Sequence, residues 1–411
     1  MAAEVFQYTC FQMKKQKKTG FKYWIGRLHL WLGLSSGLIV FIISITGAIY
    51  VFQEEITNSV RSESIFHHEK NITNKNPLSL TVLEQKVNEY TQEKYPVHWV
   101  NVPIDKSRSY IFYYYEHNPD GWNFYEEYII YKSVYVNPFT GEIKGVYDET
   151  TDFFNIIKSI HFSFMLNTEW GTYVCGIPTL IFLFMLISGI ILWWPKNKNA
   201  RKQRFTFNWK NVKNWKRKNY DVHNILGFYA SSIAFVVAFT GLFYAFYFIQ
   251  AILYFVFSGG STTYPDFSHI KTKAPIEIRN EHTLDKIGKK VEELYPNAFG
   301  YSLDFGHEHI DDHEHPNYDV FVKQLSYSYH VNHSLIFDEN SGELLHVRSH
   351  NDKNLGEKAI AANYDIHVGA IFGIWTKILA LIISLICASL PVTGFLIWYG
   401  RRNKKAQKLE N

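Results

Sequence analysis

The sequence predicts a polytopic α-helical membrane protein with four transmembrane helices, an internal duplication and two small α+β domains outside the membrane. Three observations support this prediction: four long apolar stretches, basic segments at alternate ends of those stretches, and motifs that recur in the two halves of the chain. With 411 residues, 47% of them hydrophobic, the chain is long enough for two or three structural units.

Four stretches are long and apolar enough to cross a bilayer, whose hydrocarbon core of about 30 Å needs roughly 20 apolar residues. They are residues 25–52, 172–194, 225–257 and 371–399. The first stretch is too long for a cleavable signal peptide and lacks a small-residue cleavage site. The chain is therefore predicted to span a lipid membrane four times.

Basic residues predict the orientation of these spans. Lysines and arginines are concentrated before the first span, in the loop 196–218, which has ten Lys and Arg and no acidic residue, and after the fourth span. Such runs also occur in nucleic-acid-binding tails, but their strict alternation with the spans favours membrane anchoring and no nucleic acid. By the positive-inside rule, both termini are expected in the cytoplasm, and the two long segments between spans face outward.

The three cysteines carry no recognisable site. Cys10, Cys175 and Cys387 are scattered, and two of them lie within spans. They form no CxxC or zinc spacing and no disulfide framework, so they are interpreted as small apolar residues.

The two halves of the chain repeat each other. The segment "HLWLGLSSGLIVFIISITGAIYVF" from His29 aligns without a gap with "HNILGFYASSIAFVVAFTGLFYAF" from His223. The second and fourth spans end similarly, in "SGIILWWPK" from Ser188 and "TGFLIWYGR" from Thr393. The motifs "NYDVH" and "NYDIH" lie just before two of the apolar runs. This similarity predicts a duplicated unit of span, outer domain and span.

The outer segments also correspond. "YVNPFTGEIKGV" from Tyr135 and "IFDENSGELLHV" from Ile336 both show strand, tight turn and strand. Apolar residues at helical spacing precede each hairpin, near Leu80 and near Thr283. Each outer segment is therefore predicted to form a small α+β domain.

The predicted organisation has nine segments. Cytoplasmic parts are 1–24, the basic loop 195–219 and the basic tail 400–411. Transmembrane parts are 25–53, 152–194 with a lead-in helix, 220–257 and 363–399. The outer domains are 54–151 and 258–362.

Together these motifs resemble the PepSY-associated transmembrane family. The resemblance extends over nearly the whole chain, through "RLHLWLG", "SIHFSFML", "WWPKNKNARKQRF", "NYDVHNILGFYA", "NYDIHVGAIFG" and "LPVTGFLIWYG". It implies PepSY-like outer domains and a place in the bacterial inner membrane. Characterised members of the family include reductases of ferric siderophores that carry haem b between their helices, although other members have no defined role.

Four histidines are the candidate haem ligands. His29 and His223 are expected at the cytoplasmic ends of their spans, and His161 and His367 at the outer ends. One such histidine is often an interfacial side chain that reaches water, but two imidazoles at the same depth on different helices can ligate one haem iron axially. The sequence therefore predicts two haem groups, held by His29 with His223 and by His161 with His367, and the resemblance implies that they are haem b.

Small residues are expected beside these haems. Gly33 and Gly227 lie one turn beyond their histidines, where a missing side chain admits a flat macrocycle. Close helix packing is the alternative for these glycines. Residues on the helices that do not ligate a given haem are expected at its level: Thr46, Thr240, Ser188 and Thr393.

Two features of the histidine segments leave alternatives open. Asp221 and Asp365 each lie two residues before a histidine and are expected either to cap a helix or to orient the imidazole. An unbroken helix from His161 to Gly189 would measure about 42 Å, longer than the hydrocarbon core. A separate lead-in helix on the membrane surface, from 152 to 166, would remove this mismatch between helix length and membrane thickness.

The expected function is electron transfer across the membrane to an outer acceptor, and the family resemblance implies that this acceptor is a ferric siderophore or a related chelate. Because the sequence lacks a GxGxxG fingerprint, a P-loop and a flavin site, the donor is expected to be a quinol or a reductase, and a transporter is a further expected partner. The alternative is a non-redox PepSY module that binds a peptide, a protease or a transporter.

Two further segments are weaker candidates for ligand contact. Tyr113, Tyr115 and Trp122 lie in an aromatic-rich segment that is typical of a strand but would also suit a chelate-binding wall. The segment "HEHIDDHEH" at 307–315 would suit transient metal binding, with a solvated loop as the alternative.

Overall fold

A computed structural model describes residues 20–67, 76–195, 197, 201, 204–210, 212–267, 270, 283–305 and 317–410. In chain order its helices are α1 (Phe21–Tyr50), α2 (Gln53–Val60), α3 (Ser62–Ile65), α4 (Leu80–Thr91), α5 (Phe124–Glu127), α6 (Phe153–Ser163), α7 (Thr168–Trp193), α8 (Trp215–Ala245), α9 (Tyr247–Phe257), α10 (Thr283–Leu294), α11 (Leu355–Val368) and α12 (Ile374–Glu410). Its strands are β1 (Val97–Pro103), β2 (Tyr110–His117), β3 (Tyr128–Val136), β4 (Ile143–Asp148), β5 (Gly300–Asp304), β6 (Asn317–Lys323), β7 (Asn332–Asp338) and β8 (Leu344–Arg348).

Four of these helices are long and apolar enough to cross a membrane, as the sequence predicts. They are α1, α7, α8 and the part of α12 up to Arg402. Helix α1 packs against α7 and α12, and α8 packs against the same two helices. The spans therefore enclose a common interior, and most of their apolar surface faces outward, as expected in lipid.

Helix α6 precedes the second span as a separate element. The chain turns between α6 and α7 through Phe164 and Met165, which have φ of 57° and 61°. The observed bounds of α6 lie inside the range 152–166 that the length argument requires. This break removes the 42 Å conflict, because His161 lies on α6 and only α7 spans the membrane.

The fourth predicted span, 363–399, is divided in the same way. Helix α11 ends at Gly369, and α12 begins after Gly373, with φ of 77° and 74° at these two glycines. His367 therefore lies on a lead-in helix and not on the span itself. The sequence interpretation missed this break because the connecting residues are apolar and continue the hydrophobic run. The third predicted span, 220–257, is likewise divided at Phe246 into α8 and α9.

The outer segments form one sheet, and the prediction of two separate domains is wrong in this respect. The strand order is β4-β3-β2-β1-β5-β6-β7-β8, and every neighbouring pair is antiparallel. Strands β1 and β5 join the halves, from Trp99 opposite Asp304 to Pro103 opposite Gly300. Each half alone would leave a hydrophobic edge strand with unpaired backbone groups, and pairing the two edges removes both.

The sheet has two different faces. Helices α4 and α10 cover one face, with Leu83 and Ile287 among the core residues that are fully buried there. The opposite face carries aromatic side chains, including a stacked pair of Trp99 and Tyr113 with ring centres 4.6 Å apart. Tyr131 belongs to this aromatic group and reaches the interior of the bundle, so the second face points towards the spans.

Candidate cofactor site

Two cavities lie inside the helical bundle. The sheet-proximal cavity, of about 440 Å³, is lined by His161, His367 and residues of β3. The sheet-distal cavity, of about 460 Å³, is lined by His29 and His223. Both volumes lie within the range of about 300–1,000 Å³ that is usual for cofactor sites. The four predicted ligands thus occupy two cavities in the two predicted pairs.

The cavities are neighbours along the bundle. Val40 of α1 and Phe182 of α7 line both of them. His29 and Thr46 both lie on α1, separated by about 26 Å of helical rise. The two histidine pairs therefore lie at clearly different depths in the bundle.

In the sheet-proximal cavity, the ring centres of His161 and His367 lie 6.0 Å apart, and the ring planes make an angle of 52°. A metal ion between two imidazoles would separate the ring centres by about 6 Å, since each metal–nitrogen bond is about 2 Å and each nitrogen lies about 1 Å from its ring centre. The observed spacing therefore fits one iron between these rings.

Backbone carbonyls orient the sheet-proximal histidines. The Nδ1 of His161 lies 2.9 Å from the carbonyl oxygen of Ile43, and the Nδ1 of His367 lies 3.0 Å from that of Val237. A carbonyl only accepts a hydrogen bond, so both Nδ1 atoms carry the ring proton and donate it. Thr46 and Thr240 reinforce this arrangement, with hydroxyl oxygens 3.2 Å from the respective Nδ1 atoms.

Hydroxyl groups orient the sheet-distal histidines. The Nδ1 of His29 lies 2.8 Å from Ser188 Oγ, and the Nδ1 of His223 lies 2.9 Å from Thr393 Oγ1. Each hydroxyl already donates to a carbonyl of its own helix, at 3.1 Å for Ser188 and 2.8 Å for Thr393. The hydroxyl oxygens are therefore left to accept from the imidazoles, which again places the proton on Nδ1.

All four imidazoles thus present the same chemistry. With the proton on Nδ1, the Nε2 atom has a free lone pair, which is the form that ligates iron. Within the part of the chain that the structure describes, no group of three or more His, Cys, Asp and Glu side chains is arranged to hold a metal ion. Two imidazoles in one cavity could supply two ligands to an iron whose other ligands come from a macrocycle, so the donor atoms of these residues fit haem.

The glycines that directly follow Thr46, Thr240, Ser188 and Thr393 lie against the imidazole rings. A Cβ atom at Gly47 would lie 2.9 Å from Cε1 of His161, and one at Gly241 would lie 2.9 Å from Cε1 of His367. At Gly189 and Gly394 the corresponding distances to the sheet-distal histidines are 3.4 and 3.3 Å. The glycines therefore make room for the rings. The adjoining hydroxyl residues contact the Nδ1 atoms of the imidazoles, and among the described residues they do not line the cavities.

Gly33 and Gly227 line the sheet-distal cavity, where the sequence analysis places them. They also allow close helix packing. A Cβ at Gly33 would meet Met185 Cε at 2.7 Å, and one at Gly227 would meet Leu390 Cδ2 at 3.4 Å. Both expectations for these glycines, an open cavity wall and close packing, therefore apply to them.

The asparagines of the two NYD motifs are site residues that the sequence analysis missed. Asn219 donates to the carbonyl oxygen of Thr393 at 3.0 Å, and Asn363 donates to that of Thr240 at 3.1 Å. Each therefore holds the same threonine whose hydroxyl contacts the histidine four residues further along. The motif itself indicates this role, because its asparagine and histidine are four residues apart and positions four apart on a helix share one face.

The aspartates of the same motifs do not orient the histidines or cap the helices. Asp221 pairs with Arg217 at 2.9 Å. Asp365, which is fully buried, accepts from the backbone N–H groups of Tyr329 and His330 at 2.8 and 2.7 Å. Side chains two residues apart on a helix point in different directions, and both helices begin several residues earlier.

Replacing Asp365 with asparagine is expected to destabilise the protein by about 2–3 kcal/mol, because a buried charge-assisted acceptor for two N–H groups is lost. Asp221→Asn is the matched control and should cost less than about 1 kcal/mol, since Arg217 is largely exposed. Thermal unfolding of both variants in detergent would measure this difference. Equal melting temperatures would contradict the structural role of Asp365.

The aromatic residues proposed as a chelate-binding wall do not lie together in the structure. Tyr115 contacts Tyr131 with ring centres 5.5 Å apart, so it and Tyr113 belong to the aromatic face of the sheet. Trp122 instead contacts Trp170 with centres 5.1 Å apart, so the three residues do not form one wall. The histidine-rich segment 307–315 lies outside the described residues.

Comparison with known proteins establishes the family. No curated protein sequence matches the chain. The family described as the PepSY-associated TM region matches residues 26–401, which include the sheet, both cavities and the four spans except for the first residues of α1 and the last residue of the fourth span. The chain belongs to the PepSY-associated transmembrane family.

Proposed function

We propose that this protein is a di-haem b transmembrane electron-transfer protein that reduces an acceptor on the sheet side of the membrane. The proposed acceptor is Fe(III) in a ferric siderophore or a related chelate, and its reduction to Fe(II) promotes iron release. The main support is the chemistry of the four histidines. Each pair lines one cavity, and each imidazole donates through Nδ1, so that Nε2 can bind iron.

The protein's own residues hold, orient and shield the two cofactors. His29 with His223 and His161 with His367 would hold the two irons, and the Nδ1 partners of these histidines would restrict rotation of the rings. The largely apolar cavity walls exclude water from the bound groups. Haem b supplies one-electron redox chemistry in a membrane core that would otherwise offer no redox-active group.

The arrangement of the spans supports a vectorial role. The basic loop and tail support, by the positive-inside rule, a sheet-distal cavity that lies towards the cytoplasm of a bacterial inner membrane, with both termini inside. The sheet then lies outside, next to the sheet-proximal cavity. Two redox sites at different depths suit charge movement across a low-dielectric core of about 30 Å.

The chain needs an electron donor from elsewhere. Since the sequence shows no nucleotide-binding motif, we assign this role to a quinol or a reductase partner. One quinol oxidised to a quinone releases two electrons and two protons, which balances the reduction of two Fe(III) to two Fe(II). A transporter for the released iron or the chelate is a further proposed partner.

We also infer that an internal duplication produced the matching halves of the chain and of the sheet.

The first test is the colour of the purified protein. We expect a reduced-minus-oxidised absorbance spectrum of haem b with two haems per chain, together with quinol-dependent reduction of ferric chelates in proteoliposomes. Fe(II) formation would be followed with a chromogenic chelator across several ferric siderophores. A colourless protein from haem-replete cells would contradict the proposal and favour a non-redox module that binds a peptide, a protease or a transporter.

A further inference from the structure

Each cavity has one charged side chain among the described residues that line it. Lys158 of α6 lines the sheet-proximal cavity, and Arg401 of α12 lines the sheet-distal cavity. Both side chains have exposed surface. Neither has an ion pair or side-chain hydrogen bond with another residue in the described part of the chain. Each cavity therefore offers one positive charge without a negative partner.

Each cavity also contains a buried polar atom without a partner. Ser159 is 6% exposed, and its Oγ finds no hydrogen-bond partner among the described residues. Trp193 is 4% exposed, and the same holds for its Nε1. Ser159 lines the sheet-proximal cavity and Trp193 the sheet-distal cavity. A buried donor left unpaired costs about 1–3 kcal/mol, so both atoms indicate a missing acceptor.

These groups lie on the helices that carry His161 or the hydroxyl partners of the sheet-distal histidines. Lys158 precedes His161 by three residues on α6 and therefore shares its face. Trp193 follows Ser188 by five residues on α7, and Arg401 follows Thr393 by eight on α12. The helical rise places them about 8 and 12 Å from the level of the sheet-distal histidines, towards the basic end of the bundle.

An anionic acceptor suits both cavities. Lys158 and Arg401 each line a cavity without a negative partner among the described residues, and desolvation lowers the pKa of Lys158, as expected for a cation that lacks a counter-ion. A carboxylate in each cavity would neutralise the cation and accept from the buried donor that lines the same cavity. Because these residues line the cavities that hold the histidine pairs, the carboxylate would belong to the ligand that the histidines bind.

We propose that Lys158 with Ser159, and Arg401 with Trp193, bind the carboxylate edges of the two porphyrins. This inference rests on the proposed function. The two porphyrins then have opposite orientations, with one carboxylate edge towards the sheet and the other towards the basic loop and tail. The same contacts set the charge around each iron, so the four residues position and tune the cofactors without touching the metal.

A redox titration of the purified holoprotein tests this proposal. Lys158→Met removes a cation that favours the reduced, less positive iron, so the ratio of reduced to oxidised sheet-proximal haem should fall about tenfold at a given potential. For a one-electron couple this corresponds to a midpoint potential about 59 mV lower. Lys158→Arg should restore the potential. Arg401→Met should affect the other haem alone, and His161→Ala identifies which signal belongs to which cavity.

Cofactor loading provides a second measurement. Protein from haem-deficient cells should take up iron protoporphyrin about tenfold more tightly than its dimethyl ester, whose carboxylates carry no charge. This preference should disappear at the sheet-proximal cavity in Lys158→Met and persist in Lys158→Arg. A wild-type protein that binds two haems but loads the ester equally well, with unchanged potentials in the variants, would overturn this inference alone. A wild-type protein that binds no haem would overturn the proposed function as well.

Discussion

The variant His29→Ala is expected to lose the sheet-distal haem, retain the sheet-proximal haem and no longer transfer electrons across the membrane. His29 supplies one of two protein ligands in that cavity, and alanine leaves no metal-binding atom in its place. His223→Ala should give the same result, because His223 is the second protein ligand in that cavity. Haem content per chain should fall from two to one in both variants, and quinol-dependent chelate reduction in proteoliposomes should fall to background.

A graded control separates ligation from general damage to the fold. Ser188→Ala keeps His29 but removes the oxygen that accepts its Nδ1–H at 2.8 Å. Loss of such a supporting contact typically weakens metal binding about 10–100-fold, so haem should be retained but dissociate more readily. Two haems in both histidine variants would refute the assignment of these ligands.

Placing a methyl group at Gly241 is expected to displace His367 and remove the sheet-proximal haem. The new Cβ would lie 2.9 Å from Cε1 and 3.5 Å from Nδ1 of His367. The ring cannot easily retreat, because its Nδ1 is bonded to the carbonyl of Val237. Gly241→Ala should therefore lower the affinity for this haem by at least about tenfold, as measured by haem content after washing in detergent.

An alanine series provides the control for this prediction. The same substitution at Gly394 would place Cβ 3.3 Å from His223, and at Gly26 it would meet only Leu192 Cδ2, at 3.7 Å. Haem loss should therefore be smaller for Gly394→Ala and absent for Gly26→Ala. If Gly241→Ala and Gly26→Ala retained equal haem, the close approach of this backbone to the ring would have no functional consequence.

The number of spans and the candidate histidines were accessible from the sequence because they depend on local patterns. Long apolar runs predict the four spans, and the structure has four helices of the required length and composition. The repeated motifs also identified which histidines correspond in the two halves. The structure places these histidines in two cavities, in the pairs that the expected depths had indicated.

The breaks within the apolar runs were harder to predict. The turn at Phe164 and Met165 was anticipated only because an unbroken helix would have been too long. The equivalent turn before α12 was missed, since Gly369 and Gly373 flank apolar residues that continue the hydrophobic pattern. Helix ends inside such runs depend on single backbone angles, to which hydropathy is insensitive.

The sequence by itself determined the number of spans, the helices and hairpins of the outer segments, and the four candidate ligands. Only the tertiary structure decided that the two outer segments share one sheet through β1 and β5. It also decided the partner of each imidazole, since His29 and Ser188 are 159 residues apart in the chain. Periodicity records how each residue relates to its neighbours along a helix or strand. Hydrogen bonds between different helices arise from packing, which no local pattern encodes.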